Sequence, residues 1–346
     1  MKVSVLAYVE KEGSDKCDVV VEQVVEALQA GGHKPSVLTI HDDLPTLIAG
    51  LQEAKPDLVF NLVESFGKDQ VGGLMGVAGV LDLLRLPHTG GGPGELYLQE
   101  DKALSKKLLA YEQLLYPHFA TFAKDSDFET GGTLRMPLFV KPQRNDASMG
   151  IDAKTSLVRN ATELMERVIE IHKKFDDSAL AEEYIDGREF YVGVVGNQEL
   201  KAFPPVEMDF SGLPEGAAHV LDSKAKFDES SVEYQGTKAI MADVPDELKA
   251  KLQKVAVDAY RVMRVRDYGR IDLRLTDTGD IYVIEVNANC YLEKDSEFAM
   301  SAAADGTDFN ALINLIADLA ITRAKGPKPL RNTKRKTVVK KKPTAA

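Results

Sequence analysis

The sequence predicts an α/β protein that becomes α+β toward its C-terminus. Two patterns predict this: strand-like and helix-like runs alternate through the first 63 residues, and a strand–turn–strand pattern fills residues 268–290. Alternating β and α runs imply a parallel sheet with right-handed crossovers, whereas a tight turn between alternating apolar runs implies an antiparallel pair.

The opening run Val3 to Val9 is apolar, bounded and rich in β-branched residues, as a buried strand should be. From Asp18 to Ala30, Val20, Val21, Val24, Val25 and Leu28 recur at helical spacing, and Gly31-Gly32 ends the run. Residues 36–40 read as a second strand, Leu44 to Ala54 as a helix ahead of Pro56, and 57–63 as a third strand. Ligands generally sit beyond the carboxyl ends of such strands. A glycine-rich stretch (Gly67, Gly72, Gly73, Gly76, Gly79) then enters an apolar helix that ends near Leu86-Pro87. The loop from His88 to Gly94 reads as a turn, with a phosphate-cradling role as the alternative; it lacks the Lys-Ser/Thr ending of a P-loop.

A helix carrying Asp101-Lys102 is expected to run to about Leu115, followed by a strand at 136–142, a polar loop from Gln143 to Gly150, and an amphipathic helix over 157–175. Residues 178–200 read as strand, short turn and strand, and 243–265 mostly as helix. In 268–290, alternating apolar residues flank the turn Asp277-Thr278-Gly279-Asp280, which predicts a β-hairpin. A helix over 307–324 closes the fold. The expected division is an N-terminal α/β domain over 1–97, a central lobe over 98–186, a C-terminal lobe over 187–324 and a disordered basic tail over 325–346.

Composition narrows the function. With 346 residues, 44% hydrophobic and 28% charged, the chain can bury a large core. Cys17 and Cys290 are far apart and accompany no CxxC or Cys/His cluster, so neither a disulfide framework nor a zinc site is expected, and a reducing cytoplasm fits. No apolar run approaches the ~20 residues that span a bilayer, so no membrane partner is expected. The net charge of −11 hides an asymmetry, because Arg323 to Ala346 hold ten Lys/Arg and no acid, leaving the body near −21. Such a body excludes nucleic acid as its partner, while the tail remains open to RNA, anionic lipid or an acidic protein.

The chemistry concentrates in the hairpin. Asp272 lies in its first strand, and Glu285 and Asn287 alternate on the second, so they share a face. Two carboxylates and an amide suit a hard divalent ion bridging to phosphate oxygens better than they suit zinc. Arg270, two residues before Asp272, points to the same face and can neutralise phosphate or a tetrahedral oxyanion. The alternative is a solvated strand face with charges paired across strands. Lys141 ends an apolar strand, where an unpaired cation is costly, so an anion should lie near it. Glu182-Glu183-Tyr184-Ile185, with Gly187 and Glu189, combines apolar walls, a backbone edge and carboxylates, as an adenine nucleoside requires.

In this order, Asp101-Lys102, Phe139-Val140-Lys141-Pro142, Glu182 to Glu189, Lys226, Gly269-Arg270-Ile271-Asp272 and Glu285-Val286-Asn287 resemble the ATP-grasp superfamily, and most of all D-alanine–D-alanine ligases and their relatives. The resemblance runs from Met1 to about Ala324 and implies a two-lobed ATP-grasp fold behind the N-terminal domain. It also implies that Lys102 and Lys141 grip ATP phosphates, that Glu182 and the backbone through Ile185 read adenine, and that Glu189 holds the ribose. By the same resemblance Lys226 contacts the γ-phosphate, Ser148 sits in a mobile loop over the nucleotide, and Asp272, Glu285 and Asn287 ligate two Mg²⁺ ions, with Mn²⁺ as a substitute. The implied reaction is carboxylate–amine ligation through an acyl phosphate, with Arg270 stabilising the tetrahedral oxyanion.

The chain departs from the family pattern in three places, the first near the N-terminus, where Glu10-Lys11-Glu12-Gly13-Ser14 only loosely echoes the family's Glu followed by Val-Ser. Phe227 stands where the ligases carry a tyrosine, and Ala288 to Ser296 replaces the usual Pro-Gly-Met-Thr turn, with Ser296 alone keeping the place of a substrate-side serine. The expected substrates are amino acids or small peptides, and a homodimer is an open assembly. The alternatives are an ATP-grasp ligase that modifies a peptide or protein side chain, and a non-catalytic nucleotide-binding module.

Overall fold

The computed structural model describes residues 1–11, 17–67, 70–124, 128–143, 150–152 and 155–326. Ser148, the 327–346 stretch of the basic tail and the side chain of Phe227 lie outside the described set.

The first unit is the expected βαβαβ: β1 (Lys2–Tyr8), α1 (Val19–Ala30), β2 (Lys34–Ile40), α2 (Leu44–Ala54) and β3 (Leu58–Asn61). The strands form a parallel sheet in the order β2-β1-β3. Asp18 caps α1 by accepting from the Val20 N–H at 2.9 Å, which satisfies one of the helix's orphan donors. Next come α3 (Gln70–Leu83), α4 (Pro93–Glu100) and α5 (Lys102–Tyr111). The helix expected to carry Asp101-Lys102 to Leu115 is α5, which ends at Tyr111, with the Asp101 carboxylate capping it by accepting from the Leu104 N–H; α4 ahead of it was not anticipated.

A five-stranded antiparallel sheet follows, ordered β5-β4-β8-β6-β7. It contains β4 (Phe119–Phe122), β5 (Phe128–Gly131), β6 (Leu138–Pro142) and β7 (Leu157–Val158), then α6 (Ala161–Phe175) and β8 (Ala179–Glu183). The expected helix over 157–175 starts four residues late, because Leu157 pairs with Phe139 and Asn160 caps the helix.

The chain then crosses to a second sheet, ordered β12-β11-β9-β13-β14 with β10 on β9. Its elements are β9 (Arg188–Gly196), β10 (Leu200–Ala202), β11 (Val206–Asp209), α7 (Ser223–Phe227), α8 (Val232–Gln235), β12 (Lys238–Met241), α9 (Asp246–Val262), β13 (Asp267–Leu275) and β14 (Ile281–Ala288). Two helices finish the described chain, α10 (Glu297–Ala304) and α11 (Phe309–Ala324). The crossing from β8 to β9 turns at Gly187, where φ is +143° and a Cβ would lie 2.0 Å from the Leu275 carbonyl oxygen.

The apolar side chains form separate cores. One joins the parallel sheet and α1 to α10 and α11, so the last helices cover the first sheet. A second lies between α9 and the β9–β13–β14 strands, and a third under α6 on the five-stranded sheet. Among the described residues no helix is long and apolar enough to cross a membrane.

Candidate functional site

The expected hairpin forms, and its register puts the chemistry in one place. Asp272 pairs directly with Glu285, and Arg270 with Asn287, just ahead of a bulge after Asp272. Arg270 donates to both Asp272 oxygens, at 2.8 and 2.9 Å, and to Glu297 at 3.2 Å. The Asn287 amide donates to Asp272 at 3.1 Å. Burial pushes the Asp272 carboxyl up to about 6, against the pull of Arg270 and with the added push of Glu285 and Glu189.

Glu285 is neutralised from a different direction. Lys102 of α5 lies 3.4 Å from it. Burial raises the Glu285 pKa, but Lys102 first, then Lys141, Lys226 and Lys106, outweigh it and hold the carboxyl down at about 2.

The lysines meet a second acid. Glu182, only 3% exposed on β8, lies 2.6 Å from Lys106 and 3.0 Å from Lys141. Both cations hold it ionised against its burial, while burial pushes the Lys106 ammonium down. The expectation that Lys141 needs an anion beside it is met by Glu182, whose carboxylate is thus engaged with lysines. Lys106 was not singled out in the sequence, although it lies one helical turn from Lys102 on the same face.

Arg274 was also not anticipated, although it follows Arg270 and Asp272 in strict strand alternation. It donates to Glu189 at 2.5 and 3.1 Å and to the Ile185 carbonyl at 2.9 Å, and its guanidinium lies over the Tyr184 ring at 5.3 Å. Tyr191 also donates to Glu189, at 2.5 Å. Arg274 therefore fixes three of the residues expected at the nucleoside.

Most of these groups line one cavity of about 210 Å³ between the two antiparallel sheets, while Lys102 and Lys106 reach Glu285 and Glu182 without bordering it. Lys141, Glu182 to Ile185, Glu189, Lys226, Arg270, Asp272, Glu285 and Asn287 all border it. Ser296 does not; its hydroxyl caps α10 and donates to the Glu293 carbonyl at 2.7 Å. Among the described residues, no cluster of three or more His, Cys, Asp or Glu side chains forms a metal site. The donor set is two opposed carboxylates and an amide, all hard, and it fits a divalent ion that draws further oxygens from a phosphate.

The glycine loop has another task. The Gly90 N–H donates to Asp267, Gly91 to Asn289 and Gly92 to Glu95, so side chains take all three donors and none remains for phosphate. Its turn reading holds, and its phosphate-cradling alternative falls. Asp267, fully buried, also binds Arg323 through both oxygens, at 2.7 and 3.0 Å.

A larger cavity, about 800 Å³, lies at the carboxyl ends of β1 and β3 and is walled on its other side by Asn289 to Leu292. That segment docks on α1: Tyr291 donates to Asp18 at 2.7 Å, and the Lys294 N–H donates to Gln23 at 2.8 Å.

Comparison with known proteins agrees with this geometry. Residues 107–318, more than half of the chain, match the family model described as D-ala D-ala ligase C-terminus. An uncharacterized protein, y4sG, of Sinorhizobium fredii is 32% identical over 309 residues, 88% of each chain. The D-alanine–D-alanine ligase of Aquifex aeolicus is 29% identical over 294 residues, 85% of this chain and 91% of that one. The structure of D-alanine–D-alanine ligase from Bacillus anthracis complexed with ATP superposes with a TM-score of 0.72 at 21% identity, over 94% of this chain and 99% of that one. The mixed architecture, one parallel and two antiparallel sheets, is that of these ATP-grasp ligases. The chain belongs to the D-alanine–D-alanine ligase family, whose members use ATP and a divalent metal ion to join a carboxylate to an amine through a C–N bond.

Proposed function

We propose that the cleft between the two antiparallel sheets binds ATP, and that the chain uses it to join an amino-acid or small-peptide carboxylate to an amine. The observation that carries this is Glu285, half-buried opposite Asp272, with Lys102 at 3.4 Å and with Lys141 and Lys226 lining the same cleft. Cations interleaved with opposed carboxylates suit a polyphosphate carried with a divalent metal ion.

In this reading Lys102 and Lys141 hold phosphates and Lys226 the γ-phosphate. The backbone from Glu182 to Ile185 meets the adenine, and Glu189, fixed by Arg274, meets the ribose. Asp272, Glu285 and Asn287 hold up to two Mg²⁺ ions, for which Mn²⁺ can substitute. A metal held there would supply neutralisation of the phosphate charge. The γ-phosphoryl group passes to the substrate carboxylate, giving an acyl phosphate and ADP. The amine then attacks, and inorganic phosphate leaves as the C–N bond forms. Arg270 faces the oxyanion of that step, held by Asp272 and Glu297. Ser296 positions Glu297 by capping α10. A cytoplasmic site of action follows from the need for ATP.

The test is phosphate release from ATP and Mg²⁺ across a panel of D- and L-amino acids, with the amide product identified by mass. Acceptor-dependent release is expected. ATP binding without release for any acceptor would overturn the ligase reading.

A further inference from the structure

On one face of the second antiparallel sheet, β13 and β9 set Arg274 opposite Glu189, Asp272 opposite Tyr191, and Arg270 opposite Gly193. Directly opposed residues share a face, and Glu189, Tyr191, Arg270, Asp272 and Arg274 all border the cleft assigned to the nucleotide. Gly193 offers Arg270 no side chain, and Phe298 packs over that position, where a Cβ would lie 2.9 Å from its ring. Arg270 meets the diagonal neighbour instead: its guanidinium carbon lies 4.7 Å from the centroid of the Tyr191 ring.

Tyr191 thus has two engagements. Its ring carries Arg270, and its hydroxyl donates to Glu189 at 2.5 Å. The side chain is 4% exposed and packs with Val206, Met208 and Phe210, so it has little room to move. Glu189 accepts from Arg274 on its other oxygen, and Arg274 lies over Tyr184. One run of contacts therefore leads from Tyr184 through Arg274, Glu189 and Tyr191 to Arg270 and on to Glu297. Asp272 also holds Arg270, but Asp272 is assigned to the metal ion, and a carboxylate shared with a cation holds a guanidinium less firmly. An aromatic face ligates no hard ion, so the hold of Tyr191 is free of that competition.

Resting on the ligase reading above, we propose that Tyr191 is a positioning residue that ties ribose recognition to amide formation: its hydroxyl sets Glu189 for the ribose, and its ring sets Arg270 for the tetrahedral oxyanion. A nucleotide whose ribose engages Glu189 is thereby placed in register with the guanidinium that the second step needs.

The experiment compares the full chain with Tyr191→Phe, which loses only the hydroxyl, and Tyr191→Met, which loses hydroxyl and ring but stays apolar. Calorimetric titration with Mg²⁺ and ATP, 2′-deoxy-ATP or 3′-deoxy-ATP reads the first role. At least one deoxy form should bind the wild type about tenfold more weakly than ATP, and that preference should fall below about threefold in Tyr191→Phe, since a hydrogen bond to a charged group is at stake. Phosphate release at saturating ATP reads the second role. In it kcat of Tyr191→Met should lie roughly 10²-fold below that of Tyr191→Phe, the scale on which misplacing a group at the reacting centre slows a reaction.

A merely structural tyrosine would weaken ATP and its deoxy forms alike, and that result would overturn the proposal, as would equal kcat in the two variants. The binding measurement needs only Tyr191→Phe, so it upholds or overturns the ribose role even where Tyr191→Met fails to fold. A wild type that binds ATP but releases phosphate with no acceptor would overturn the ligase reading and the oxyanion role together. Unchanged variants of a chain that does turn over would overturn the role of Tyr191 alone.

Discussion

Asp272 and Glu285 face each other across β13 and β14, yet each is neutralised by its own cation, Arg270 for the first and Lys102 for the second. Carboxylates this close, Asp272 buried and Glu285 half-buried, repel, and the surrounding cations are what let both remain ionised. A divalent ion would replace part of that neutralisation, freeing Arg270 and Lys102 for substrate oxyanion and phosphate. Chelation of metal should therefore abolish phosphate release, and added Mn²⁺ should restore it; activity that survives exhaustive chelation would contradict this assignment.

Arg270→Met should lower kcat by roughly 10²–10³, the usual cost of removing one donor to a developing oxyanion. Arg270→Lys should not rescue it, since an ammonium cannot reproduce the two parallel bonds to Asp272. Steady-state kinetics at saturating ATP, with circular dichroism to verify folding, measures this.

Glu182→Gln leaves Lys106 and Lys141 buried beside each other without their shared counter-ion. A loss of about 3–5 kcal/mol is expected, as when one partner of a buried ion pair is removed. The sign with pH follows from the lowered Glu182 pKa. Its stabilisation is full above the unfolded carboxyl value and is lost as pH falls through the depressed folded value. Urea unfolding between pH 3 and 7 should show the difference between wild type and variant shrinking toward the acid end.

Gly90→Ala should destabilise the chain by about 1–3 kcal/mol, the range for a non-glycine residue held in left-handed backbone. Gly90 has φ +78°, and a Cβ there would lie 1.9 Å from the Asn289 oxygen. Asn289, itself at φ +62°, leads from β14 into the larger cavity. Thermal unfolding should register the loss, and KM for the amino-acid substrate should rise with it.

Cys290 is buried, and burial pushes its thiol well above the ordinary range, so the thiolate needed for alkylation is scarce. Native protein with iodoacetamide at pH 8 should modify Cys17 alone, and Cys290 only after denaturation. Rapid labelling of both thiols in the native state would contradict the packing of the 289–292 segment.

Much of the site was legible locally. Period-2 alternation placed Arg270, Asp272, Glu285 and Asn287 on strands joined by a tight turn, because that signal needs only neighbouring residues. The same signal contained Arg274, whose partner Glu189 lies on a different strand pair, so nothing near Arg274 announced its use. Lys106 was hidden for a similar reason: on a helix a lysine looks solvated, and only the packing of α5 over Glu182 buries it. Short elements escaped altogether. β4, β5, β11 and β12, each four residues long, carry too few residues for a period to stand out, and sheet pairing makes them strands.

The sequence by itself determined the βαβαβ opening, the hairpin and the shared faces of Arg270 with Asp272 and of Glu285 with Asn287, since periodicity, caps and turns are local forces. Only the tertiary structure decided that the glycine loop grips Asn289 and Asp267 instead of phosphate, and that α11 returns to cover the first sheet. Those outcomes depend on contacts between residues more than a hundred positions apart or on which surfaces remain to be buried, and a linear pattern holds neither.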